Sequence, residues 1–190
     1  MKITRPIRAV LFDMDGVMVD SEFVYMKYLL EFAKEKNPAV TMEDINQMVG
    51  RSRQDSWTVM ERAVNNGETW ETLIKEWAER DIYSRIDYRK IFRPEMKTTV
   101  QELKRRGYTV ALVSSTGPKL ISRIVEEVGM RPEFDLIVSG KQFKQSKPNP
   151  EIYHYTADTL GIREDECFVV EDSTVGIEAA YRAGMSIAGL

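Results

Sequence analysis

The sequence predicts an α/β protein: a doubly wound parallel sheet with an all-helical block inserted after its first strand. Short apolar runs alternate with helical patterns from residue 94 onward, the order that builds a parallel sheet. Between residues 22 and 92 apolar residues recur at helical spacing only, with no strand signal. Several of the apolar runs end in acids or hydroxyls, and open parallel sheets bind ligands beyond the carboxyl ends of their strands.

Taken in order, residues 7–13 (IRAVLFD) read as a buried strand ending at Asp13, with Gly16 relieving the turn behind it. A helix follows from Glu22, with Phe23, Met26, Leu29, Leu30 and Ala33 on its apolar side, and Pro38 ends it. Thr41 with Asp44 and Ser52 with Asp55 have the spacing of capping boxes for two more helices. The second of these runs through Trp57, Met60 and Val64 and stops at the NNG of residues 65–67. Residues 69–88 read as one long segment with Trp70, Leu73, Ile74, Trp77 and Ile82 on one side. Then come a helix (94–106), the strand TVALVSS, a helix (119–128) and the strand FDLIVSG. Asn149 and Pro150 form a cap and first-position pair for a helix reaching Leu160. The strand CFVVED, a helix over 174–183 and a last apolar run, MSIAGL, complete the pattern.

Composition sets the bounds. With 43% hydrophobic and 30% charged residues over 190 positions, the chain can bury one good core plus a smaller insert. No apolar run approaches the roughly 18 residues of a membrane span. The N-terminus shows no signal-peptide pattern, so a cytoplasmic location is expected. Cys167 is the only cysteine, which leaves no intrachain disulfide. A net charge of −3 makes no electrostatic case for nucleic acid. A monomer is expected.

The polar strand ends carry the chemistry. Asp13 and Asp15 follow the first strand, Ser114, Ser115 and Thr116 end the second, and Glu171 and Asp172 end CFVVED. Lys147 stands in the loop SKPNP before a proline-started helix. Four carboxylates crowded at one edge repel one another unless a cation joins them. An all-oxygen site with room for water and phosphate suits Mg²⁺, and hydroxyls with a lysine suit a phosphoryl group.

These segments resemble the four ordered motifs of the haloacid dehalogenase superfamily: DMDG, the Ser114 segment, Lys147 in KPNP, and EDS. The helical insertion resembles the small cap of the subgroup containing β-phosphoglucomutases and phosphoglycolate-type phosphatases. The resemblance implies a Rossmann-like core over residues 1–20 and 92–190, with a helical cap over 21–91. Family members commonly continue through a further strand and helix beyond the place where this chain ends, so part of the C-terminal core is expected to be missing.

The resemblance also implies roles. Asp13 would attack phosphorus and form an aspartyl-phosphate. Asp15 would protonate the leaving alcohol and then activate water. Carboxylates of Asp13 and Asp172 and the Asp15 backbone carbonyl would hold Mg²⁺, with Glu171 either a water-mediated ligand or orienting Lys147. Ser114 and Lys147 would bind the transferring phosphoryl oxygens, helped by amides of Met14, Ser115 and Thr116. Gly50 and Arg53, in VGRSRQDS, match the cap substrate loop best, and Arg53 could reach a second anionic group, Arg51 less readily.

The expected function is a Mg²⁺-dependent phosphatase of a small phosphorylated metabolite. The first alternative is a phosphosugar mutase; its relatives usually carry a histidine where this chain has Tyr25. A non-catalytic binding module is the second, and the presence of both Asp13 and Asp15 opposes it. Plainer readings suit other residues: His154 belongs at a helix surface, Cys167 in the core, the tryptophans in cap packing, and KQFKQSK in a solvated loop. Gly16 comes too early for a calcium loop, and neither a Walker-type lysine loop nor a dinucleotide glycine fingerprint is present.

Overall fold

The computed structural model describes residues 6–190. Strand β1 (Ala9–Phe12) is followed by five helices: α1 (Ser21–Lys36), α2 (Met42–Asn46), α3 (Arg53–Val64), α4 (Trp70–Ala78) and α5 (Ile82–Arg85). The remaining elements are α6 (Glu95–Arg105), β2 (Thr109–Ser114), α7 (Pro118–Glu127), β3 (Leu136–Ser139) and α8 (Glu151–Leu160), then β4 (Cys167–Glu171), α9 (Thr174–Arg182) and β5 (Ser186–Gly189). The chain divides into two compact units: Ser21–Ile86, all helical, and an α/β unit of the chain up to Asp20 with Asp87–Leu190. Residues 87–91 go with the α/β unit because Tyr88 is buried there and its amide donates to Glu127 Oε1 at 3.0 Å.

In the α/β unit five parallel strands stand in the order β3-β2-β1-β4-β5. The sheet therefore grows from β1 to one side, then restarts on the other, which puts the switch point between β1 and β4. Ala9 and Leu11 of β1, Ala111 and Val113 of β2, and Cys167 and Val169 of β4 share one buried face. Ile152, Tyr153 and Ala157 of α8 and Ala179 and Ala180 of α9 pack on it. The alanines let α9 lie close to the strands, and each large apolar side chain fully buried here contributes about 1.5–3 kcal/mol. The run MSIAGL supplies β5, the strand that closes one edge. Behind β1 the chain turns tightly, with the Gly16 amide donating to Val19 O at 2.8 Å. Outgoing and returning chains then run side by side, Asp20 N donating to Ile91 O and Arg93 N to Met18 O.

The helical unit closes around Phe32, Met60, Leu73, Trp57 and Trp77. Thr41 forms its capping box with Asp44, and the Ser52 hydroxyl accepts the Asp55 amide. Lys36 bridges Glu68 and Glu76, and Arg80 bridges Glu35 and Glu76, tying α1 to α4. Three local expectations are corrected. Residues 69–88 are not one segment: Asp81 takes a left-handed conformation (φ 43°) that a continuous helix cannot contain, so α4 stops and α5 restarts. Phe23 faces solvent with Lys27 over its ring, and Phe32 takes the core position instead. Pro150, not Asn149, is the N-cap of α8, although the Asn149 side chain still accepts the Glu151 amide at 2.9 Å.

Candidate active site

Asp13 leaves β1 at the switch point, its amide donating to Val170 O of β4 at 3.0 Å. Lys147 reaches the same place from the loop before α8 and is almost wholly buried. Its ammonium donates to Asp13 Oδ1 at 2.6 Å, Glu171 Oε1 at 2.5 Å and Val113 O at 3.3 Å. An ammonium has three protons, so this set uses all of them. Burial works against the Lys147 charge, yet the neighbouring carboxylates outweigh it and hold the group above its ordinary range.

Glu171, the last residue of β4, is fully buried. Its Oε1 also accepts from the Tyr153 hydroxyl at 3.3 Å, and its Oε2 accepts the Ser173 amide (3.0 Å) and hydroxyl (2.9 Å). Four donors thus meet the roughly four acceptor positions of a carboxylate. Burial would raise this acid, but the Lys147 ammonium and the Ser173 donors bring it below its usual value. Asp13 goes the other way. Burial pushes its carboxyl up to about 7, with Lys147 lowering it and Glu171 and Asp15 adding to the rise. The site therefore holds more negative charge than its lysine balances.

Oxygens of Asp13, Glu171 and Asp172 lie within 4.8 Å of one another, close enough to hold a metal ion. An all-carboxylate set with surplus charge fits a hard divalent cation. Two glycines make room for these acids. A Cβ at Gly16, where φ is +76°, would lie 1.7 Å from Asp172 Oδ2, and one at Gly176 would lie 1.7 Å from Glu171 Oε1.

Asp15 sits apart from that cluster: its Oδ2 accepts the Thr116 hydroxyl at 2.9 Å. Ser114, fully buried at the end of β2, accepts the Thr116 amide at 3.0 Å instead of capping α7, whose N-cap is Gly117. Ser139 fixes the Thr116 carbonyl from β3 at 2.6 Å. The Thr116 amide is therefore engaged within the protein, whereas Ser115 beside it is exposed.

Gly50 and Arg53 belong to the helical unit. Arg53 begins α3 and lines two cavities there, of about 470 and 250 Å³, together with Tyr25 and Trp57. The Tyr25 hydroxyl accepts from Trp77 Nε1 at 3.0 Å, and burial holds its proton more firmly than in free tyrosine. His154 is half exposed and pairs with Glu164 at 2.9 Å; Cys167 is buried and its thiol pushed up to about 12 by burial. Tyr153 and Ser139 are polar residues of the site that sequence reasoning did not single out, and Ser173 entered it only as the last residue of EDS.

Residues 10–190 match the family described as haloacid dehalogenase-like hydrolase. The phosphorylated carbohydrates phosphatase of Thermotoga maritima is 26% identical over 94% of this chain and 82% of its own length. The phosphoglycolate phosphatase of Photorhabdus laumondii is 28% identical, covering all of this chain and 82% of its own. A solved Thermotoga maritima structure, provisionally named a β-phosphoglucomutase, superposes with a TM-score of 0.78 at 27% identity, over 96% of this chain and 85% of that one. The parallel sheet, its acidic switch point and the family match together establish that the chain belongs to the haloacid dehalogenase-like hydrolases.

Proposed function

We propose that this protein is a Mg²⁺-dependent phosphatase that hydrolyses the phosphate monoester of a small metabolite through a phosphorylated Asp13. The observation that carries the reading is the buried Lys147 ammonium, 2.6 Å from Asp13, beside three converging acids at the sheet's switch point. Asp13 and Asp172 carboxylates and the Asp15 backbone carbonyl would hold the cation, which supplies positive charge to phosphoryl oxygens when bound. Glu171, with its four donors, orients Lys147.

In the first step an Asp13 oxygen bonds to phosphorus as the bond to the leaving alcohol breaks, and Asp15 gives that alcohol its proton. Asp15 then takes a proton from water as the water attacks phosphorus, which frees phosphate and restores Asp13. Lys147 and the Ser114 hydroxyl neutralise charge on the transferring oxygens, with Ser115 and Thr116 shaping the same loop. The helical unit acts as the cap, with Gly50 and Arg53 selecting the organic part of the substrate. Relatives named for phosphorylated carbohydrates and phosphoglycolate point to small sugar or hydroxy-acid phosphates. The test is phosphate release from a panel of such esters and pyrophosphate, with and without chelator. Full activity in EDTA, or no release from any ester, would sink the reading.

Similarity to the structure provisionally named a β-phosphoglucomutase favours a second reading, transfer to a sugar hydroxyl. Tyr25 argues against it, because a half-buried neutral phenol donated to by Trp77 is a poor proton carrier near pH 7. Supplying β-glucose 1-phosphate with a trace of bisphosphate decides the matter. Isomerisation far faster than phosphate release from every ester would reverse the order of the two readings.

A further inference from the structure

Tyr153 has no role in the chemistry above, yet it touches both members of the pair that faces Asp13. It lies on the inward side of α8, is fully buried, and spends its hydroxyl on Glu171 Oε1 at 3.3 Å. Lys147 Nζ stands 5.2 Å from its ring centroid, within reach of a cation–π attraction. A phenylalanine would fill this apolar pocket without bringing a buried hydroxyl that needs a partner. The hydroxyl is there, and its partner is a carboxylate of the site.

Resting on the phosphatase reading, we propose that Tyr153 is the positioning residue that aims the Lys147 ammonium at Asp13. The direction of that ammonium is set by three acceptors. Val113 O is fixed by β2, and Asp13 by the end of β1. Glu171 is fixed by Ser173 at one oxygen and by Tyr153 at the other. The Tyr153 hydroxyl shares Oε1 with Lys147 and so tempers the pull of Glu171, while its ring bounds the ammonium's pocket. Without the hydroxyl, Oε1 is left to Lys147 alone, and the ammonium shifts toward Glu171 and away from the phosphoryl oxygens it serves. A group acting on charge that develops during the reaction affects turnover more than substrate affinity.

The experiment compares the full chain with Tyr153→Phe, which keeps the ring and removes the hydroxyl. For an ester that the parent hydrolyses, kcat is expected to fall about tenfold while KM stays within about twofold. Circular dichroism should be unchanged. Independently of activity, the ¹⁵Nζ resonance of Lys147, assigned by its loss in Lys147→Arg, is expected to move while other lysine signals stay. A parental kcat, or an unmoved Lys147 resonance, overturns the proposal. A parent that hydrolyses no ester fails the phosphatase reading instead, and the resonance then decides Tyr153 alone. Should Tyr153→Phe fail to fold, 3-fluorotyrosine at position 153 keeps the shape and strengthens the donor; unchanged kcat and an unchanged resonance there would equally overturn it.

Discussion

Asp13 shows in one side chain how the site stores its need for a cation. Its neighbours include one lysine and two acids, and burial holds its carboxyl up to about 7. An acid raised above its ordinary 3.8 binds more protons folded than unfolded between those values, so without a cation this group makes the fold less stable as pH climbs through that window. Glu171, lowered instead, contributes stability that is lost only on acidification below the usual carboxylate range. Between about pH 5 and 7 it is therefore the Asp13 contribution that changes. A cation can do at pH 8 what the proton does at pH 5, and Mg²⁺ is expected to raise the melting temperature more at pH 8 than at pH 5. Equal shifts by calorimetry would contradict this. Asp13→Asn keeps the shape but not the nucleophile. It should fold normally by circular dichroism and lose at least about 10³-fold in phosphate release; parental turnover would remove Asp13 from its role.

The strands were readable because parallel strands buried on both faces are continuous apolar runs, as AVLF, TVALVS and CFVVE are. The break between α4 and α5 was not, since Ile82 continues the apolar period of α4 across it. What stops the helix is Asp81's left-handed backbone beside Arg80, which pairs with Glu35 far away in sequence. No local pattern encodes that pairing. On α9 the decisive detail is Gly176, in the first turn of the helix, where the missing Cβ admits the Glu171 carboxylate. Alanine inside a helix usually gains about 0.5–1 kcal/mol over glycine. Here Gly176→Ala should instead cost about 2–3 kcal/mol in urea unfolding, as overpacking does. Phosphate release should fall with it, because Glu171 is displaced from Lys147. A variant as stable and active as the parent would show that the glycine is incidental.

Across the whole molecule, the charged residues of the site were legible by type and order, since acids and a lysine at strand ends have few structural uses. Tyr153 was not, because a tyrosine on an amphipathic helix reads as core, and only the crossover from Lys147 to β4 brings it to Glu171. The two compact units give a prediction at this scale. Mg²⁺ should slow amide hydrogen exchange around β1, β4 and the start of α9 and leave α3 and α4 of the helical unit unchanged. Equal protection in both units would mean that the cation is not seated at Asp13 and Asp172. The central place of β1 has a further consequence during synthesis. It leaves the ribosome well before β4, its partner on one side, which starts only at Cys167. A nascent chain stalled before that point carries an apolar strand with one row of amides and carbonyls unpaired, a template for joining another chain edge to edge. A pause after β2 has emerged but before β4 would therefore expose this protein to aggregation through β1 more than a pause after β4 has emerged.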